Sequence, residues 1–510
     1  MHKANRFPFT RRSSAIAAAA ILMGGALPGC GLVGRSLIRA SRTPETDSQP
    51  PVDLKSRIQN DTPVSRLSPF VNGPGVVICN PVTSSDLRNF AQGAGGWLNL
   101  AVAGQPKFSR TPALGNLQRA CQELSSPVFA VESASRADRL SGILGATEVA
   151  VGTLTGTKDH CKLTYHLYKI PSNRPIGTPV TAEGSMDQIT AQLPGIALKM
   201  AKSLGAAHPD IPTSTGLTAA DLEFLGPLTL ADDFSDLTQP QQTNLQSLAA
   251  HSPLATIVSL RSVRSTPAAG PAASLLISQA PANPLALSEV AIDNAEALIP
   301  HTDLIKKDTI RFSDNYLFNL TSAWLYRTSK QMLQERKAAE ATMQSAPGSP
   351  DAWLTLGYSI SNEAQEVRRS KAFREMSDSE QAFVSNLYPD WASCSSHATQ
   401  LDPFYGKAWL RLATSSCFAG DPATADSAFW QAAKLDPDKA DVYAWGLQMY
   451  QSKKWRSGDE QKLVNIAQMA ASGFYAKPAD VDRVAAALDD AGFADAKSAL
   501  LAKYGRPASN

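Results

Sequence analysis

The sequence predicts an α+β protein: a small α/β domain followed by an all-α solenoid of paired helices. Three observations carry this reading. Residues 406–439 form a 34-residue unit in which Trp409, Leu412, Ala413, Ala425, Phe429, Ala432 and Pro437 place bulky, small and helix-ending side chains in turn. Two antiparallel helices of about 13 residues nestle only when small side chains face large ones, and such a unit buries its apolar face only by stacking on others. Residues 148–155 and 162–168 alternate with period two about Gly156-Thr157-Lys158-Asp159, the pattern of a β-hairpin. From about residue 215 onward the apolar residues recur at helical spacing.

A chain of 510 residues has room for two or three domains, and its 43% hydrophobic and 18% charged residues are those of an ordinary globular protein. The net charge is +2, and no Lys/Arg run exceeds two residues after the leader. Composition therefore predicts no nucleic-acid partner.

Residues 1–29 read as a leader. Lys3, Arg6, Arg11 and Arg12 make a basic start, and the apolar run Ala15 to Leu27 is 13 residues long, too short to span a bilayer. It ends at Leu27-Pro28-Gly29-Cys30, which resembles the lipobox of bacterial lipoproteins, with Pro28 in place of the usual small aliphatic residue. The resemblance implies cleavage before Cys30 and acylation of that cysteine. Several acyl chains, at about 0.8 kcal/mol per buried CH₂, hold a soluble body on a membrane. Gly31 stands where enteric lipoproteins of the inner membrane carry Asp, which implies the outer membrane. Thr10-Arg11-Arg12-Ser13 also resembles a twin-arginine signal, with Ser14 where Phe is usual, so both export routes stay open. No other stretch reaches the about 18 apolar residues that a span needs. The expected location is exported and lipid-anchored, facing the periplasm. Residues 30–69, rich in Ser, Pro, Thr and charge, read as a flexible tether reaching roughly 35 Å.

Residues 70–207 read as the α/β domain. Gly75 to Cys79 is a short buried strand, and Thr83 to Asp86 supply helix-starting side chains. Leu87, Phe90, Ala94, Trp97 and Ala101 share one helical face, and Leu114, Leu117, Cys121 and Leu124 share another. A third helix, around Arg136 to Leu144, stops at Gly145. In the hairpin, Leu163, Tyr165 and Leu167 face one way and Thr164, His166 and Tyr168 the other. Thr178 to Glu183 reads as a further strand. The closing helix carries Ile189, Leu193, Ile196, Met200 and Leu204, with Pro194 either kinking it or starting a new turn. Gly75 to Asn80, Gly95-Gly96-Trp97-Leu98 and Leu144 to Leu154 resemble the amino-terminal α/β domain of the TolB family over about 135 residues. In TolB this part contributes to contacts with envelope proteins, and the propeller that follows it there is absent here.

Residues 215–475 read as the repeats. Pro253, Pro284, Pro350, Pro403 and Pro437 each precede a helical segment, and Asp351 to Gly357 opens another first helix. The 406–439 unit resembles a tetratricopeptide repeat (TPR). Between the helix opening at Asp351 and its partner at Trp391 to Gln400 lie about 22 extra residues, around Glu363 to Leu387, which either lengthen both helices or form a flap. Residues 476–510 read as capping helices. In TPR proteins outward positions of each first helix line a concave groove. Carried over by offset, these are Tyr358 and Asn362, then Lys407, Arg411 and Thr414, then Gln448. Aromatic, amide and cationic groups suit an extended peptide or a chain terminus. Besides Cys30, an odd number of cysteines remains: Cys79, Cys121, Cys161, Cys394 and Cys417. Cys394 and Cys417, on successive helices, are a candidate disulfide, with two small buried core residues as the equal alternative.

The motifs that suggest chemistry have plain structural readings. Gly152 to Lys158 has too few residues between its glycines for a phosphate loop and sits on a hairpin. His160, Cys161 and His166 fall at a bend, with no second ligand cluster, so no metal is expected. Asp232, Asp233 and Asp236 lack the glycine and final Glu of a calcium loop. No catalytic residues and no cofactor are expected. The expected function is a non-enzymatic, lipid-anchored envelope protein that binds protein or peptide partners through its groove. The alternatives are a ligand- or glycan-binding α/β domain with the repeats as spacer, or an accessory of an envelope secretion or export complex.

Overall fold

The computed structural model describes residues 63–70, 73–124, 129–131, 134–231, 234, 236–264, 266–370, 372–451, 460–472 and 478–505. The leader, Cys30, most of the tether, Asp232 and Asp233 lie outside the described residues. The chain divides between Pro437 and Asp438 into two compact units.

In the first unit the period-two segments pair as the alternation requires. Strand β1 (Val76–Ile78) runs parallel to β2 (Glu148–Gly156), with Val77 opposite Val149. Strand β2 forms the hairpin with β3 (Cys161–Lys169), and β3 also pairs with β4 (Arg174–Pro175) and β5 (Val180–Gly184), all antiparallel. Leu163, Tyr165 and Leu167 are buried while Lys162 and His166 are exposed, so one face of the hairpin meets the core. The open edge of β1 is closed by side chains: Ile78 N–H donates to Asn99 Oδ1 at 3.2 Å and Val76 N–H to Thr111 Oγ1 at 3.3 Å. A strand edge satisfied in this way is no template for another chain.

Helices α1 (Arg88–Leu98), α2 (Gly115–Glu123), α3 (Ala134–Leu144) and α4 (Met186–Ser203) complete the domain. Ser185 and Gln188 cap α4 reciprocally, and the helix continues through Pro194. Helix α5 (Ala219–Leu225) crosses α1 where neither side can carry a side chain. A Cβ on Gly93 would lie 3.0 Å from Leu222 Cα and closer still to its carbonyl, and one on Gly226 would lie 3.1 Å from Gly93 N.

The helices that follow are α6 (Gln239–Ala249), α7 (Pro253–Val263), α8 (Ala269–Gln279), α9 (Pro284–Asn294), α10 (Thr302–Arg311), α11 (Tyr316–Thr328), α12 (Met332–Ser345), α13 (Pro350–Ser370), α14 (Asp378–Leu401), α15 (Gly406–Ala419) and α16 (Pro422–Leu435). Proline opens α7, α9, α13 and α16, where its fixed φ suits the first turn and its missing N–H costs nothing. From α11 to α16 each helix packs on the next, and α11 with α13, and α13 with α15, also touch. This is a TPR-like stack, with first helices side by side. Its small-on-large rule is visible in α16, where Ala425, Phe429 and Ala432 are all buried. The extra residues after Glu363 lengthen both helices: α13 has 21 residues and α14 has 24, joined through a short turn at Phe373–Glu375.

One apolar core runs from Val76 to Ala352, through the sheet and on into the helices beyond residue 215. A second joins α11 to α14, and Val64 belongs to it. The segment 63–70 is stitched to α12: Phe70 N–H donates to the Gln344 carbonyl at 2.9 Å, Gln344 Nε2 donates to the Ser68 carbonyl at 3.0 Å, and Leu67 packs on the same core.

The second unit contains α17 (Ala440–Gln451), α18 (Glu460–Ser472), α19 (Pro478–Asp490) and α20 (Ala494–Lys503). Helix α17 packs on α18 and α19, and Arg483 of α19 pairs with Asp441 and Asp480.

The α1–α5 crossing generates a prediction. Gly93→Ala overpacks it and should lower stability by about 1–3 kcal/mol, read as a shifted denaturant midpoint at unchanged slope.

Candidate ligand groove

The first helices present a common face because positions three and four apart project the same way. On α11 this face carries Tyr316, Ala323, Trp324 and Arg327, and on α13 it carries Asp351, Leu354, Thr355 and Tyr358. Lys407 of α15 and Tyr405 just before it continue the row. Gly115, Asn116 and Arg119 of α2 close the other side, enclosing a cavity of about 280 Å³.

Arg119 is the hub of the floor. Its guanidinium lies 2.9 Å from Asp351 Oδ2 and 3.2 Å from Glu123 Oε1, pairs with Asp402, and donates to the Ile143 carbonyl at 2.6 Å. Its flat face covers the Tyr405 ring at 4.1 Å, while the Tyr405 hydroxyl donates to Asp351 Oδ1 at 2.8 Å. One cation thus meets three carboxyl groups, and Asp402 is only 2% exposed. Burial and the neighbouring Asp402 push the Glu123 carboxyl up to about 7, against the pull of Arg119. Burial also raises Asp402, partly offset by Arg119. The neutral form of Glu123 hydrogen-bonds Asp402 and relieves the crowding of charge.

Tyr358 anchors the opposite end. Arg411 lies 4.6 Å, Arg327 5.3 Å and Lys407 5.9 Å from its ring centroid, and Arg327 also covers Trp324 at 4.9 Å. Arg327 Nε donates to Glu335 Oε1 at 3.1 Å, and Asn362 Nδ2 donates to the same oxygen at 3.0 Å. Among the described residues no carboxylate pairs with Lys407 or Arg411, and Arg411 Nε has no hydrogen-bond partner.

The positions expected from the sequence therefore separate. Tyr358, Lys407 and Arg411 come together, and Asn362 joins them through Glu335. Thr414 is buried, its hydroxyl turned back onto the Leu410 carbonyl at 2.8 Å. Gln448 belongs to the other unit. No disulfide joins Cys394 to Cys417, and burial pushes the Cys394 thiol up to about 12. On the hairpin, Cys161 faces the core and donates to the Gly184 carbonyl, His160 lies 3.1 Å from Glu183, and His166 stacks beside Tyr168. Arg119, Arg327, Asp351 and Tyr405 were not singled out from the sequence. Arg119 meets its partners across 232 and 283 residues, a distance no local pattern spans.

No protein-family model and no curated protein matches the sequence. Among solved structures, the chain is similar to the human IFIT1 dimer with PPP-AAAA (8% identity, 89% of this chain and 96% of that one, TM-score 0.41). It is similar to the human IFIT1 dimer with m7Gppp-AAAA (10% identity, 84% and 96%, TM-score 0.40). A monomeric IFIT1 mutant with Gppp-AAAA aligns at 11% identity over 89% and 99%, with TM-score 0.39. The expectation that excluded a nucleic-acid partner is corrected, because these structures hold capped or triphosphorylated oligonucleotides. The physical flaw in that exclusion was its use of net charge. A total of +2 conceals the local gathering of Arg327, Lys407 and Arg411 on one ring.

The Arg119 cluster generates two expectations. A carboxyl group raised from its unfolded value to about 7 keeps a proton in the folded state that the unfolded chain has lost. Stability is therefore greatest below the unfolded value and falls as pH rises through the folded one, by on the order of 2 kcal/mol. Glu123→Gln mimics the neutral form and should flatten the melting temperature between pH 5 and pH 8 (roughly the window between the two values). Arg119→Met strands the buried Asp402 and the half-buried Glu123 and Asp351, and should cost about 3–5 kcal/mol at neutral pH, measured by chemical denaturation.

Proposed function

We propose that this chain is a non-enzymatic binding scaffold of the bacterial envelope, exported, acylated at Cys30 and held on the periplasmic side of a membrane, the outer one by the residue after Cys30. Its TolB-like domain and TPR-like helices share one groove, which takes an extended protein chain and reads a carboxylate on it. One observation carries this reading: Lys407 and Arg411 flank Tyr358 with no carboxylate paired to either among the described residues. A cation held in place without a counterion is arranged for an anionic group that arrives with the partner. Repeats of paired helices present such grooves to other chains.

The test is a display library of random decapeptides with free carboxyl termini, followed by calorimetry of the enriched sequences (~10 residues fills one such groove). Amidation of the terminus, or Lys407→Glu with Arg411→Glu, should weaken binding by about 10- to 100-fold, the value of one or two charge-assisted hydrogen bonds. Equal binding of acid and amide forms would overturn the reading. For the anchor, Cys30→Ser should move the protein from the membrane pellet to the soluble fraction and abolish incorporation of labelled fatty acid.

A second reading, a ligand-binding α/β domain, is favoured by a cleft of about 1070 Å³ lined by Trp97, Gln105, His251, Gln279 and Asp308. Its outer loop is fixed where the Gln105 side chain grips both backbone groups of Asp210, at 2.9 Å each. Binding of small glycans that survives the Lys407 and Arg411 reversals would support it over the groove.

A further inference from the structure

The groove is electrically two-ended, with its cations gathered around Tyr358. At the other end one guanidinium faces Asp351, Asp402 and Glu123, so the acids outnumber the base. Asp351 lines the cavity, with its two oxygens engaged by Tyr405 and Arg119 but keeping further acceptor capacity. Beside it stands Tyr316, 1% exposed, which lines the same cavity; its hydroxyl has Ser349 and Asn116 as polar neighbours but makes no hydrogen bond of full geometry with either. Asp351 is close enough to oppose ionisation of that phenol, after burial itself. A fully unmatched buried hydroxyl costs about 1–3 kcal/mol, and a ligand atom can recover the part of that cost which its imperfect bonds leave. The Arg119 Nε has no hydrogen-bond partner.

We infer that the cavity floor, through Asp351 and the Tyr316 hydroxyl, is a subsite for the basic side chain of a lysine or arginine lying near the partner's terminal carboxylate. The inference rests on the groove reading above and names what that groove selects: a protein chain end carrying a base and an acid together. Lys407 and Asp351 line one cavity of about 280 Å³, so both charges fall within a few residues of ligand. The Tyr316 hydroxyl accepts from an ammonium or guanidinium as readily as it donates, and Asp351 supplies the countercharge. Arrival of a cation balances the acidic surplus, and it favours release of the proton that Glu123 holds near neutrality.

The experiment is a calorimetric cycle on the full chain with one chain-end peptide from the display selection. It is made in four forms, with lysine or norleucine near the terminus and with a terminal acid or amide. Wild type should lose about 10-fold on lysine→norleucine, and Tyr316→Phe and Asp351→Asn should shrink that loss towards none. The amide penalty should persist in both variants and vanish in Lys407→Glu. Tyr316→Phe leaves every ion pair of Arg119 in place, so it reports on the subsite even where Asp351→Asn disturbs the Arg119 cluster. Proton release on binding the lysine form near pH 7, absent in Glu123→Gln, is a further expected readout (~1 proton at most). A full amide penalty with no lysine penalty refutes the subsite and leaves the groove reading standing. Absence of both penalties refutes the groove reading as well. Tighter binding of 5′-triphosphorylated tetra-adenylate than of any peptide form overturns both in favour of a nucleic-acid groove.

Discussion

A single guanidinium holds the helical stack to the α/β domain along one wall of the groove. Arg119 reaches from α2 to the first turn of α13 through Asp351 and to the end of α14 through Asp402, while bonding the last turn of α3 through the Ile143 carbonyl. Four helices are thereby referred to one point. A cation so enclosed is intolerant of any lost partner, because the remaining charges stay buried without compensation. The apolar core that runs unbroken from Val76 to Ala352 supplies the bulk of the cohesion. Directional bonds supply the register, since hydrophobic contact is non-directional and sets no angle between two surfaces: Arg119 does so here, with the Tyr316 N–H donating to the Ser109 carbonyl at 2.7 Å and Asn315 Nδ2 to the Pro106 carbonyl at 3.0 Å.

The same cluster explains why the groove has a polarity at all. The chain is close to neutral overall, and the groove as a whole is nearly balanced. Its acids gather around Arg119 and its unpaired bases around Tyr358. Segregation of this kind produces a strong local field from a chain whose total charge is small. A sum over the sequence hides this arrangement, because the opposite charges cancel in it.

What the sequence revealed follows from how far each signal travels. The hairpin, the 406–439 unit and the helix starts at Pro253, Pro284 and Pro350 are written in neighbouring residues, so periodicity and proline are enough to find them. Tyr358, Lys407 and Arg411 were reachable by offset because a repeat turns sequence position into direction. Thr414 obeys the same offset yet is buried, its hydroxyl taken by Leu410 of its own helix, a competition that spacing does not register. The two outcomes left open for the residues after Glu363 were decided by their helical composition, which extended α13 and α14. Arg119 and Tyr405 were invisible for the opposite reason: their roles exist only once segments hundreds of residues apart are brought together.

The seam between residues 63–70 and α12 has a mechanical consequence. Tension applied to the chain at Pro63 is received by Val64, Leu67 and the two backbone-directed bonds to Gln344. The load passes into the helical stack before it reaches Val76, and the short strand β1 carries none of it while that seam holds. A sheet whose first strand has only three residues is poorly suited to bearing a pull, and this path spares it.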